Sequence, residues 1–166
     1  MPVSENLRKS LAPMVSLREK SHSFQNMLPL IREQIALGGS VRIAPKGTSM
    51  LPMLRQGVDT VVLSPVPERL RKYDIPFYRR SDGQFVLHRI VTVGETFTCI
   101  GDNQFAEETG VQREQMIAVV TAFTRDDREI PVTNLGYRCY CRFWHYSRPI
   151  RHLWRWALLR LRRAWR

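Results

Sequence analysis

The sequence predicts a mainly β domain, with one helix before it and a basic amphipathic helix after it. Three observations carry that prediction. Between residues 40 and 135, short β-rich runs alternate with turn residues. Before them, apolar residues recur at helical spacing. After them, residues 137–166 hold nine arginines and no acid, with apolar residues again at helical spacing.

In chain order, residues 1–23 are polar and carry Pro2 and Pro13, so they are expected to form a flexible leader. Over 24–37, Met27, Leu30, Ile31 and Ile35 mark one face of a helix. Gly38 and Gly39 stop it, because glycine accepts the left-handed conformation that follows a helix. Strands are expected over 40–44, 60–64, 75–79, 85–93, 96–100 and 116–125, within a sheet domain of about six to eight strands. Asp82-Gly83 and Gly94-Glu95 each separate two β-rich runs and read as hairpin turns. The domains are therefore the leader 1–23, a β domain 24–136 and a tail 137–166.

The chain has 166 residues, room for one domain and a tail. Its net charge is +11, and the location of that charge decides what it means. Residues 1–136 hold 17 Lys and Arg against 15 Asp and Glu, so the body is nearly neutral and the excess belongs to the tail. A nucleic-acid binder would carry a basic stripe on its folded part, so none is expected to bind the β domain. The three cysteines, Cys99, Cys139 and Cys141, have no repeated spacing that would suggest a disulfide framework. Cys139 and Cys141 lack the rest of a zinc ligand set, so no metal or cofactor is expected. No stretch approaches the roughly 20 apolar residues that span a bilayer, and no signal-peptide apolar run is present. The expected location is the cytoplasm or a membrane surface.

Three segments carry chemistry. In Gly47-Thr48-Ser49-Met50-Leu51-Pro52, a serine follows a β-like run through a proline-glycine turn. A nucleophilic serine needs an exposed hydroxyl, a base and amide hydrogens for the oxyanion. Such a turn can present all three, although a serine beside a glycine is more often only a turn. In Phe85-Val86-Leu87-His88-Arg89-Ile90-Val91, a histidine interrupts an apolar strand. It is either a core histidine bonded to backbone or a base tuned by burial. Gly101-Asp102-Asn103, with Glu107 and Glu108 after it, offers a carboxylate to orient the imidazole, or simply a tight turn.

Taken in order, Gly47-x-Ser49-Met50-x-Pro52-x-Leu54, Gly57-Val58-Asp59, Asp74-Ile75, His88-Arg89-Ile90 and Gly101-Asp102-Asn103 resemble the signal peptidases and LexA-type repressor peptidases. The resemblance covers roughly 40–123. A histidine at position 88, where many members have lysine, is similar to the histidine-dependent signal peptidases of endoplasmic-reticulum, archaeal and sporulation type. The resemblance implies a LexA/signal-peptidase-like β domain and a serine endopeptidase that removes signal or leader peptides. Ser49 matches the nucleophile and His88 the base. Glu108 matches the position of the acidic residue, where the family has aspartate, and Asp102 is the other candidate. Gly47, Thr48, Met50 and Pro52 match the substrate-binding and oxyanion side of the turn. The sequence departs from the family in lacking a membrane-spanning anchor, in having Glu at 108, and in placing Val58 between Gly57 and Asp59. Lys46 and Lys72 are alternative bases, but each sits in a solvated run.

A regulatory, self-cleaving LexA-like module or a catalytically silent peptide-binding module is the alternative. Self-cleavage would need an Ala-Gly or Cys-Gly pair in 1–46, and none is there. In the tail, Ile150, Leu153, Trp154, Ala157, Leu158, Leu161, Ala164 and Trp165 share one helical face, and Arg151, Arg155, Arg162 and Arg166 share the other. Three readings stay open for 148–166: contact with an anionic membrane surface, packing on the β domain, or binding to nucleic acid or an acidic partner. A peptide or protein substrate is the expected partner of the β domain.

Overall fold

The computed structural model describes residues 22–164. The expected leader lies outside the described residues as far as residue 21, and so do Trp165 and Arg166. The fold is mostly β, with two antiparallel sheets and three helices. Helix α1 (His22–Ala36) buries Ile31 and Ile35, while Leu30, expected on the same face, is exposed. Gly38 at φ +77° ends the helix in the left-handed conformation.

The larger sheet contains β1 (Val41–Ile43), β2 (Val61–Ser64), β3 (Pro76–Arg79), β4 (Phe85–Leu87), β8 (Met116–Arg125) and β9 (Arg128–Pro131). Its order is β1-β2-β8-β3-β4, with β9 also paired to β8. The ten-residue β8 is long enough to hold β3 along its first half and β9 along its second. The smaller sheet contains β5 (Arg89–Val93), β6 (Phe97–Ile100) and β7 (Glu108–Val111), in that order. Tyr78, Ile90, Cys99, Met116 and Val119 form a buried cluster that joins the two sheets. A second cluster, from Ile31 and Ile43 through Phe77 to Phe123, packs α1 against the larger sheet.

The expected strand over 85–93 is two strands. β4 pairs with β3 in the larger sheet and β5 pairs with β6 in the smaller one. The chain changes sheets at His88, the single residue between them. Both expected hairpin turns are present, between β3 and β4 and between β5 and β6. Strands β7 and β9 were not expected. Glu108-Thr109-Gly110-Val111 lacks the apolar alternation that marks a strand, and the β8–β9 turn is Asp126-Asp127 rather than Asn-Gly. Both aspartates adopt positive φ, 49° and 62°, as a two-residue hairpin loop requires.

The tail also begins differently from expectation. Residues 137–146 are not a separate extension, because α2 (Leu135–Tyr146) buries Tyr137 and Cys141 in the main core. Helix α3 (Arg148–Ala164) follows after Ser147. Bonds from the Ser147 amide to the Phe143 carbonyl and from the Arg151 amide to the Ser147 carbonyl carry the helical pattern across the junction. Among the described residues, no helix is long and apolar enough to cross a membrane.

Candidate active site

Ser49 lies in the connection from β1 to β2, which braces itself in several places. Gly47, at φ +90°, donates its amide to Gln56 Oε1 at 2.9 Å. The Leu51 amide donates to the Thr48 carbonyl, and the Leu54 amide to the Met50 carbonyl. Downstream, buried Asp59 accepts from the Arg55 amide and guanidinium. Burial pushes the Asp59 carboxyl up, but the Arg55 hydrogen bonds outweigh it and hold the group below its ordinary value. Arg125 donates to the carbonyls of Pro52 and Met53. These contacts fix the turn, and the Ser49 amide and hydroxyl donate to no described residue.

His88 is almost completely buried at the crossover between the sheets. Its Nδ1 lies 2.9 Å from Glu108 Oε1 and 3.4 Å from the Tyr78 hydroxyl. Glu108 is held in turn by Tyr78, whose hydroxyl donates to Oε2 at 2.6 Å, and by Arg80, whose guanidinium donates to both carboxylate oxygens. Burial pushes the Glu108 carboxyl up, but the bonds from Arg80 and Tyr78 and the charge of His88 carry it below its ordinary value. Burial lowers His88, and Glu108 opposes that only in part, so the ring is neutral near pH 7. With Nδ1 turned toward the carboxylate, the proton belongs there, and Nε2 is left as the basic nitrogen. Nε2 accepts no hydrogen bond from a described residue, Ser49 included.

The two segments meet through the loop after β6. Arg89, directly after His88, pairs with Ile100 across β5 and β6. The next residues, Gly101-Asp102-Asn103, close onto the serine turn. The Asn103 amide donates to the Ser49 carbonyl at 2.8 Å, and Asn103 Nδ2 donates to the Thr48 carbonyl at 3.2 Å. Gly101 is required by close approach, since a Cβ built there would lie 2.6 Å from the Ser49 carbonyl oxygen.

Of the two carboxylates considered for the third position, the structure gives Glu108 to His88 and Asp102 to Arg89. Asp102 accepts from Arg89 Nε at 2.8 Å and from Nη2 at 2.7 Å, and both side chains are buried. Arg89 also donates to the Tyr137 hydroxyl, the Tyr73 carbonyl and Cys141 Sγ. Burial alone would push the guanidinium down, but Asp102 holds it well above its ordinary value and keeps it charged. Asp102 thus neutralises a buried cation, and an oxygen spent that way is a poor orienter for His88.

Ser49 opens onto a cavity of about 160 Å³, lined by Ile43, Met50, Leu54, Phe77, Phe85 and Leu87 among others. Strands β1 and β4, which supply Ile43 and Phe85 to Leu87, stand at the two ends of the strand order β1-β2-β8-β3-β4, and β9 pairs only with β8. Tyr78, Arg80 and Glu108 line a second, wider groove of about 860 Å³. Of the residues expected to bind substrate or oxyanion, Gly47 and Met50 line the cavity, whereas Thr48 and Pro52 do not. The Gly47 amide is already taken by Gln56, whereas the Ser49 amide is among the turn amides that donate to no described residue. Lys46 and Lys72 are exposed, and Lys72 lies over the Tyr73 ring. Cys141 is buried beside Arg89 while Cys139 is exposed, and no cluster suited to a metal occurs among the described residues.

Tyr78, Arg80 and Arg89 were not foreseen as parts of the site. A charged residue directly after His88 in an apolar run was the available signal for Arg89, since a buried arginine demands a buried acid. No pattern in Tyr78-Arg79-Arg80 shows which of these side chains turns toward Glu108.

No protein-family model matches the chain, and no curated protein or solved structure matches it either.

Proposed function

We propose that the protein is a serine endopeptidase of signal-peptidase type, with Ser49 as nucleophile, His88 as general base and Glu108 as the group that orients His88. The observation that carries this reading is the buried His88 ring with Nδ1 2.9 Å from a carboxylate that is itself clamped by Arg80 and Tyr78. A core histidine needs one backbone partner, not a charged acid with two further donors.

In the proposed reaction, His88 Nε2 takes the Ser49 hydroxyl proton as the oxygen attacks a peptide carbonyl. The oxyanion forms against the Ser49 amide. His88 then hands the proton to the leaving amine, and water hydrolyses the acyl-enzyme with His88 again as base. Catalytic hydrogen bonds often close only with substrate bound, so a Ser49 hydroxyl without a partner is compatible with this path. The substrate pairs as an extended strand with the free edges of β1 and β4. The small cavity between them takes a small side chain before the cut, as the family resemblance also implies.

The test is cleavage of a peptide library by the full chain, read by mass spectrometry. Ser49→Ala is expected to abolish cleavage while the melting curve stays in place, and His88→Ala, at a buried position, to abolish cleavage with a lowered melting temperature. Undiminished cleavage by either variant overturns the mechanism.

A further inference from the structure

The α2–α3 arm has its amphipathic character turned outward. On one side, polar groups fasten it to the body. Trp144 Nε1 donates to the Asp102 carbonyl at 2.8 Å, and Arg151 Nη1 reaches the same oxygen at 3.3 Å. Arg148 pairs with Glu107 at 2.9 Å, and the His152 ring meets Phe105 edge-on at 4.6 Å. Residues 144, 148, 151 and 152 thus form the docked face.

The opposite face is apolar and open. Phe143 is 70% exposed, Tyr146 71%, Ile150 72%, Leu153 65% and Trp154 69%. Their spacing of three, four, three and one keeps them in one stripe along a helix that continues through Ser147. An amphipathic helix that packs on its own domain buries this stripe, and here the body holds the other side. Beside this stripe the helical spacing puts Arg138, Arg142 and Arg160, with no acid from 137 onward. The occupant must therefore be apolar at its centre and anionic at its rim.

We infer that the α2–α3 arm is a docking face for an anionic lipid bilayer, entered by Phe143, Tyr146, Ile150, Leu153 and Trp154. Tryptophan and tyrosine suit the headgroup boundary, leucine and isoleucine enter the acyl region, and arginine draws anionic lipid. Nucleic acid would satisfy the arginines but would leave Ile150 and Leu153 in water. The arm also grips the Asp102 carbonyl, in the loop that bonds to the Ser49 carbonyl. A bilayer on the outer face lies about one helix diameter, roughly 10 Å, from that loop. That consequence for substrate delivery rests on the peptidase reading, but lipid binding does not.

The experiment is density flotation of the full chain with vesicles of phosphatidylcholine alone and of phosphatidylcholine with phosphatidylglycerol. The chain is expected to float with the anionic vesicles, to float weakly with neutral ones, and to come off in part at high salt. The variant Ile150→Ser/Leu153→Ser/Trp154→Ser changes only exposed side chains and is expected to lose at least tenfold in binding. Flotation needs no cleavage, so a protein without peptidase activity that floats leaves this inference standing. Equal binding to both vesicles, binding to neither, or undiminished binding by the triple variant overturns it. So does binding to duplex DNA that displaces the vesicles and is unchanged in that variant.

Discussion

Asp102→Asn removes one negative charge from a site where both partners are about 2% exposed, and leaves the Arg89 guanidinium buried without a counter-ion. The Tyr137 hydroxyl, the Tyr73 carbonyl and Cys141 Sγ remain as acceptors, and all are neutral. Breaking a buried pair from one side costs about 3–5 kcal/mol, because the surviving charge cannot be rehydrated without opening the core. In a domain of this size each kcal/mol moves the melting temperature by about 2–4 °C, so the expected fall is roughly 6–20 °C. Urea unfolding followed by circular dichroism measures the loss. Arg89→Met/Asp102→Asn removes both charges and is expected to cost clearly less than the sum of the two single variants. Additivity within about 0.5 kcal/mol would show that the two groups do not act as a pair. A single-variant cost below about 1 kcal/mol would refute the reasoning as directly.

Two further outcomes follow from the site geometry. In the proposed mechanism His88 acts as a base only when neutral, so kcat/KM is expected to be lost as pH falls through its pKa, which burial holds below the ordinary histidine value. In Glu108→Gln the carboxylate that raises His88 is gone. The acid limb is expected to move to still lower pH, and the plateau to drop by up to about 10⁴. An acid limb that stays in place or moves up would count against Glu108 as the orienting group. Gly101→Ala puts a methyl 2.6 Å from the Ser49 carbonyl oxygen, a backbone atom that can move only with the serine turn. It is expected to lose on the order of 100-fold in kcat/KM, the usual consequence of misplacing a reacting group by about 1 Å. A full rate in that variant would mean that the loop does not set the position of Ser49.

The strands with strong apolar content were legible because their pattern is local. Phe97-Thr98-Cys99-Ile100 and the long run 116–125 need no tertiary information to read as strands. Strand β9 was not legible, since Arg128-Glu129-Ile130-Pro131 has only Ile130 as an apolar strand former and is made by pairing with β8. The continuous run 85–93 also hid a fact of topology. Apolar residues continue on both sides of His88 because two different sheets bury them, and periodicity cannot show a change of sheet. The site divides in the same way. Ser49 and His88 were visible as residue types in suggestive settings, whereas the choice between Asp102 and Glu108 depended on which cation each would meet. The tail's helical spacing was legible, but which of its sides docks depended on carbonyl and carboxylate acceptors that the body offers at Asp102 and Glu107.

Each residue of Gly101-Asp102-Asn103 performs a different mechanical task. Gly101 lets two backbones approach within a distance that no Cβ allows. Asn103 bonds to the carbonyls of Ser49 and Thr48. Asp102 neutralises Arg89 with its side chain, and its carbonyl receives Trp144 and Arg151. Three parts of the chain that are distant in sequence are therefore tied to one short loop: the serine turn, the strand that begins after His88, and the helical arm. A catalytic carboxylate in that loop would have to leave Arg89 to serve His88, at the full cost of an unpaired buried charge. With Glu108 on β7 beside His88, the two carboxylates carry separate partners. In the proposed mechanism Glu108 follows the charge on His88 while Asp102 keeps the buried Arg89 neutralised.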